Sequence, residues 1–222
     1  MLMLKRLLSY FVPVKIYQKK SPISKNLEVT WNNGKLVLDS KTTNYSYGSL
    51  QRILRKGLNY IGYKRIRGFT NILVLGVAGG SVFKTLTEEI GYIGRITGVE
   101  IDENAIDIAK KFFNLDETPN LTLVIDDAFD FVLRTREKYD LIIIDIFQDA
   151  YMPGFLFEDF FIKRINYLLN VDGFILFNTM TLTAKDKERN KKYRNCFNDD
   201  FSVRMYPKVE DHNELFTIKR LR

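Results

Sequence analysis

Glu100, the pair Asp126 and Asp127, and Asp145 are carboxylates that each follow directly on a short apolar run, residues 96–99, 121–125 and 141–144. Carboxylates so placed can accept hydrogen bonds from ribose hydroxyls, from an exocyclic amine or from an amine substrate. Upstream, Gly76, Val77, Ala78, Gly79 and Gly80 form a glycine-rich turn after the apolar residues 72–75. Glycine tolerates positive φ and lets a ligand approach the backbone. A helix starting near Ser81 would aim its free N–H groups at whatever lies on that turn. Glu100 falls roughly 20 residues beyond the turn, where a dinucleotide-type fold places the acceptor for ribose hydroxyls. Asp102 lies close by. The implied chemistry is nucleoside binding next to a group that can take a proton.

These residues need strands that end together. Residues 72–75 and 96–99 read as buried parallel strands joined by a helix. Residues 103–113 then have helical spacing at Ile106, Ala109 and Phe113. Strand 121–125, a short helix over 128–134 and strand 141–144 follow. A helix is expected over 155–169, a strand over 171–177, an exposed charged helix over 184–194, and two closing strands over 201–206 and 214–219 that can pair antiparallel. The alternation predicts an α/β, mostly parallel, doubly wound sheet with an antiparallel last strand, and ligands bind such sheets outside the carboxyl ends of the strands. Ahead of it, residues 27–31 and 35–39 flank Asn32, Asn33 and Gly34, a strong hairpin signal, and residues 45–61 read as a helix closed by Gly62. Two units are expected: 1–45 as an N-terminal helix and hairpin extension, and 46–222 as the nucleoside-binding domain.

Composition removes several classes of function. The chain has 222 residues, a formal charge of +7, one cysteine and one histidine. Cys196 alone excludes an internal disulfide and a cysteine-only zinc site, and points to reducing cytoplasm. With His212 as the only histidine, histidine-rich metal sites are excluded and no metal is expected. The N-terminal run MLMLKRLLSYFVPV is interrupted by Lys5 and Arg6 and falls short of the ~20 residues of a membrane-spanning helix. It reads as an amphipathic helix docking on the protein itself or on a partner subunit, with a membrane-surface anchor as the alternative.

The motifs VLGVAGGSV, GVEID, VIDDAFDFV and YDLIIIDIFQDA resemble the S-adenosylmethionine-binding core of class I methyltransferases, and within it the spermidine synthase branch, the aminopropyltransferases. The resemblance covers about residues 36–178. It implies a Rossmann-like class I methyltransferase fold, a small amine substrate, no nucleic-acid partner and a homodimer. The implied cofactor is S-adenosylmethionine or its decarboxylated form. Gly76 to Gly80 would line the methionine-derived part of the cofactor. Glu100, with Ile101 after it, would hold the ribose. Asp126, Asp127 and Ala128 would lie at the adenine, with Asp127 on its amine. Asp145 would be the catalytic base or orient the substrate amine. Tyr47, Gln148 and Asp149 would lie at the substrate. Two departures stand out. Gly79 replaces the family Asp that holds the aminopropyl ammonium, and Gln148 replaces the second acidic residue of the family's DSSD-like stretch.

Three functions remain open on the sequence. The first is aminopropyl or methyl transfer to a small amine. The second is methyl transfer of other specificity, including RNA, using Lys64, Arg65, Arg67 and the 185–194 basic run. The third is a non-catalytic nucleoside-binding homologue.

Overall fold

The computed structural model describes residues 2–40, 44–147, 151–210 and 212–222. A short helix, α1 (Leu2–Leu8), precedes an antiparallel sheet in the order β1 (Val14–Ser21), β2 (Lys25–Asn32), β3 (Lys35–Ser40) and β4 (Asn44–Ser46). The β2–β3 hairpin turns at Asn33 and Gly34, both at positive φ, as the Asn-Gly pair predicts. Strand β1 was not foreseen. Its KIYQKKS stretch is rich in charge, and its exposure pattern breaks strict alternation at a bulge between Lys15 and Tyr17. α1 docks through polar groups. Arg6 Nε donates to Gly34 O at 3.1 Å and its guanidinium lies 5.5 Å from the Trp31 ring, while Met3, Leu4 and Leu7 face solvent.

The main unit continues with α2 (Gly48–Ile61), α3 (Tyr63–Arg67), β5 (Asn71–Leu75), α4 (Ser81–Lys84, prolonged as a π-turn over Thr85–Glu89), β6 (Arg95–Glu100) and α5 (Glu103–Phe113). Then come β7 (Leu121–Ile125), α6 (Ala128–Arg134), β8 (Tyr139–Ile144), α7 (Asp159–Leu168), β9 (Leu169–Met180), α8 (Ala184–Arg194), β10 (Phe201–Tyr206) and β11 (Asn213–Arg220). The expected helix over 45–61 starts only at Gly48. Tyr47, at φ 67°, breaks the helical path, and the residues before it pair with β3. The stretch 155–169 likewise divides, because Glu158 is extended and separates a 3-10 turn at Gly154–Phe157 from α7.

The large sheet has seven strands in the order β10-β11-β9-β8-β5-β6-β7, and β11 runs antiparallel to both neighbours. The chain leaves β5 in one direction through β6 and β7 and returns on its other side as β8. The topological switch point therefore lies between β5 and β8. Ile72 and Val74 point to one face, packed with Leu54, Leu58 and Phe83; Leu73 and Leu75 point to the other, packed with Ile142, Phe161 and Ile165. A third cluster of Leu27, Val29, Leu38, Tyr47, Ile108 and Phe113 seats the small sheet on α5. Asp102 fastens the same contact. Its Oδ2 accepts from Ser21 Oγ at 2.5 Å and Ser24 Oγ at 2.6 Å, while its Oδ1 caps α5 at Asn104 N. That carboxylate, next to the expected ribose acceptor, thus joins two sheets.

Candidate functional site

The pairing register brings the ends of the central strands level, Leu75 beside Val99 and Ile144, and Glu100 beside Ile125. Directly beyond, Gly76 (φ 91°) bends away from β5, and a side chain there would collide with the backbone carbonyl of Asp145. Glycine is needed here for two strand ends to approach, whatever ligand follows. Ala78 is held at φ 46°, a conformation that costs a non-glycine residue about 1 kcal/mol. Glu100 compensates. Its Oε2 accepts from Val77 N at 3.0 Å and Ala78 N at 2.9 Å, and its Oε1 from Asp102 N at 3.0 Å. Three of roughly four acceptor positions on that carboxylate are engaged, leaving one. Burial raises its pKa, opposed by the three N–H bonds.

Beside Glu100 lies a cavity of about 220 Å³ whose walls include Gly76, Glu100, Ile101, Asp127, Ala128 and Phe155. It is smaller than the ~300 Å³ at which sites for whole drug-sized ligands begin. It suits a flat base with the sugar at its mouth. Asp127 caps α6, its Oδ1 accepting from Phe129 N at 2.7 Å. The second oxygen of Asp127 is left for a donor such as an exocyclic amine. Asp126, also in the wall, is ion-paired with Arg134. Apolar walls with two acceptors fit the adenosine part of a nucleoside cofactor.

Asp145 sits at the switch point. Its Oδ1 accepts from Asn178 Nδ2 at 2.9 Å, and Asn178 Oδ1 accepts from Asn213 Nδ2 at 3.0 Å. Asn178 is fully buried near the end of β9. Asp145 as a residue is half-buried. Burial pushes its pKa up to about 7, the Asn178 bond pulls it down, and the nearby Glu100 charge pushes it up again.

The structure brings Gly76, Glu100, Ile101, Asp126, Asp127 and Ala128 into one cavity wall. Val77 and Ala78 take part through their N–H groups. Gly79 and Gly80 face elsewhere. A Cβ at Gly79 would lie 2.7 Å from Ser46 Cβ, and one at Gly80 2.7 Å from Leu115 Cδ1. Tyr47 is buried in the cluster between the small sheet and α5, stacked on Phe113 at 4.5 Å, and its hydroxyl has no partner among the described residues. Burial raises its pKa. Gln148 and Asp149 lie outside the described residues. Sequence reasoning missed Asn178, Ser46 and Phe155. Asn178 carried a readable signal, since an amide inside the apolar run FILFNTM needs a buried partner. Another cavity, of about 640 Å³, lies between α8 and Pro207, Lys208 and His212, with Lys187 and Lys191 also on its walls; Glu100, Asp127 and Asp145 do not line it.

The strand order, the glycine bend at the switch point and the acidic strand ends are those of the class I methyltransferase fold. The Spermine/spermidine synthase domain matches residues 33–208, and the chain belongs to that family. A polyamine aminopropyltransferase of Buchnera aphidicola subsp. Schizaphis graminum is 33% identical over 142 residues, 61% of this chain and 49% of that protein. The chain spans about half the length of the curated relatives it matches. Among solved structures, a probable spermidine synthase from Corynebacterium glutamicum superposes with a TM-score of 0.73 at 15% identity, covering 93% of this chain and 79% of that one. Human methyltransferase-like protein 13 in complex with SAH gives 0.65 at 18% identity, covering 79% and 83%. At such identities the structural likenesses establish the fold alone.

Proposed function

We propose that the chain is a spermidine synthase-like transferase that alkylates a small amine, with Asp145 as general base. The observation that carries this reading is the Asp145 carboxyl itself, held at the switch point with a pKa raised to about 7. A base with that pKa is half ionised near neutrality, where general-base catalysis is efficient. The relatives named polyamine aminopropyltransferase support the same class of reaction.

A bound sulfonium nucleoside supplies an activated carbon. The remaining work falls to this chain. Glu100 fixes the turn 77–78 and offers its last acceptor position to a ribose hydroxyl. Asp127 offers its free oxygen to the base. Asp145, with Oδ1 held by Asn178, presents Oδ2 to the amine. As the new N–C bond forms and the C–S bond breaks, Oδ2 takes the proton leaving the nitrogen and later returns it to solvent. Alignment of the amine with the carbon is the larger contribution, since the electrophile is already activated.

The donor can be narrowed. The ammonium of a decarboxylated donor calls for a carboxylate at position 79, where this chain has Gly79 with Ser46 packed against it. That packing supports unmodified S-adenosylmethionine, and hence methyl transfer, over aminopropyl transfer. Calorimetric titration with S-adenosylmethionine, its decarboxylated form and methylthioadenosine tests both levels. Tighter binding of the carboxylated donor is expected. A preference for the decarboxylated one restores aminopropyl transfer, and no binding of any of the three removes the reading.

A further inference from the structure

Away from the crevice, a polar cavity of about 240 Å³ opens on the sheet face covered by α2 and α3, between β9, β11 and β10. Arg65, Arg204 and Lys219 line it, with the hydroxyls of Ser202 and Thr217. No acidic side chain is among its walls. The register explains the convergence. Ser202 pairs with Lys219 and Arg204 with Thr217, so Arg204 and Lys219 are diagonal neighbours on one face. Lys219 also pairs with Phe174, and the Arg65 guanidinium lies 5.1 Å from the Phe174 ring centroid. Three cations from α3, β10 and β11 thus surround one small space.

Their charges are compensated only in part. Lys219 Nζ meets Asp172 Oδ1 at 2.5 Å, and Arg65 donates one N–H to Ile61 O at 3.2 Å. Arg204 has no hydrogen-bond or ion-pair partner among the described residues. Arg204 is exposed on the edge strand β10, and as diagonal neighbours on one face Arg204 and Lys219 repel each other. A bound anion would turn that repulsion into attraction. Guanidinium forks beside hydroxyl donors match a tetrahedral oxyanion. At ~30 Å³ per water the cavity holds about eight waters, the scale of a pyrophosphate and too small for a nucleic-acid strand.

We propose that this cavity is a second ligand site, for a small phosphate-bearing molecule, separate from the nucleoside crevice. Phe174 lies four residues before Asn178 on β9, which at ~3.3 Å per residue puts the site about 13 Å from the carboxyl-end machinery. Neither ligand would exclude the other.

Thermal unfolding of the full chain in inorganic pyrophosphate, against sodium chloride at matched ionic strength, tests this. Arg204→Ala is the companion variant, because that side chain has no partner to lose. Near a hundredfold excess over Kd, the wild type is expected to gain roughly 5–10 °C, and the variant only a small part of that. Phosphates also stabilise proteins by exclusion from the surface, and binding in the crevice would stabilise too. Either effect survives in R204A, so equal shifts in the two proteins overturn the proposal. The absence of any shift beyond chloride overturns it as well. If a short single-stranded RNA binds in an Arg204-dependent way while pyrophosphate does not, the surface is a nucleic-acid contact and the small-ligand site is withdrawn.

Discussion

The two sides of the β5–β8 crevice handle their carboxylates in opposite ways. On the β6–β7 side, Glu100 accepts three backbone N–H groups and Asp127 caps a helix, so each acid is tied to the main chain. On the β8–β9 side, Asp145 has one neutral side-chain donor, Asn178, and a pKa pushed up to about 7. Backbone bonds are short-range and hold the turn where it is. A lone amide donor holds a carboxylate in place while leaving it able to change protonation near neutrality. Under the proposed function the contrast separates a side that positions from a side that reacts, and it can be tested from either end.

The largest effect is expected from Asp145→Asn. The substitution keeps the size of the side chain and can keep the Asn178 contact, but removes the base. Transfer should fall by about 10²–10⁴-fold in kcat. Nucleoside affinity, measured by calorimetry, should stay within a few fold. If affinity falls as far as rate does, Asp145 belongs to the binding side and the division fails.

Glu100→Ala should give the reverse pattern. It leaves the N–H groups of Val77, Ala78 and Asp102 without their acceptor, and releases Ala78 from an unfavourable φ with nothing to hold the turn. A buried donor left unsatisfied costs about 1–3 kcal/mol. Even with partial access of water to the three, a loss of roughly 2–3 kcal/mol, or about 5–10 °C in Tm, is expected. Nucleoside affinity should drop by about 10–100-fold, while kcat at saturating donor changes little. Glu100→Gln, which keeps one oxygen for Val77 and Ala78, should recover most of the stability. A kcat loss in E100A as large as that in D145N would show that both sides react.

The same contrast explains what could be read from the chain. The positioning side depends on backbone needs that particular residues announce: glycine where two strand ends meet, and an acid closing each apolar run. Strands β5 to β8, helices α5, α6 and α8, and the Gly76, Glu100 and Asp127 wall were all legible on that basis. Less was legible where one residue type serves two ends. Asp102 could be noted only as lying close to Glu100, and its oxygens hold Ser21, Ser24 and Asn104, a use that depends on a small sheet folding back over more than 70 residues. Gly79 read as ligand-facing, yet it makes room for Ser46, which no local pattern could reveal. Strand β1 escaped because its lysines hide the alternation. Asn178 was visible as an oddity in an apolar strand, but its partner lies 33 residues earlier on β8's end, and only the sheet order joins them.

Asn178→Ala bears on the smallest and most specific part of the contrast. The Asn178 bond lowers the Asp145 pKa against the upward pull of burial. Without it, the acid limb of the kcat profile, expected near pH 7 in the wild type, should move to higher pH, with activity on the alkaline plateau reduced only a few fold. The sign carries over to stability. A folded-state pKa of about 7 against an ordinary value of 3.8 means that this group favours the fold fully below pH ~4 and loses that contribution as pH rises through about 7. Asp145→Asn cannot ionise, so it should match the wild type in Tm at pH 4 and exceed it at pH 8. Asn178→Ala leaves Asp145 ionisable with less support for its charge, so it should fall further below D145N at pH 8 than the wild type does. A single Tm offset between D145N and wild type, equal at both pH values, would mean that Asp145 keeps an ordinary carboxyl pKa in the fold. The crevice would then lack the neutral-pH base that sets its two sides apart.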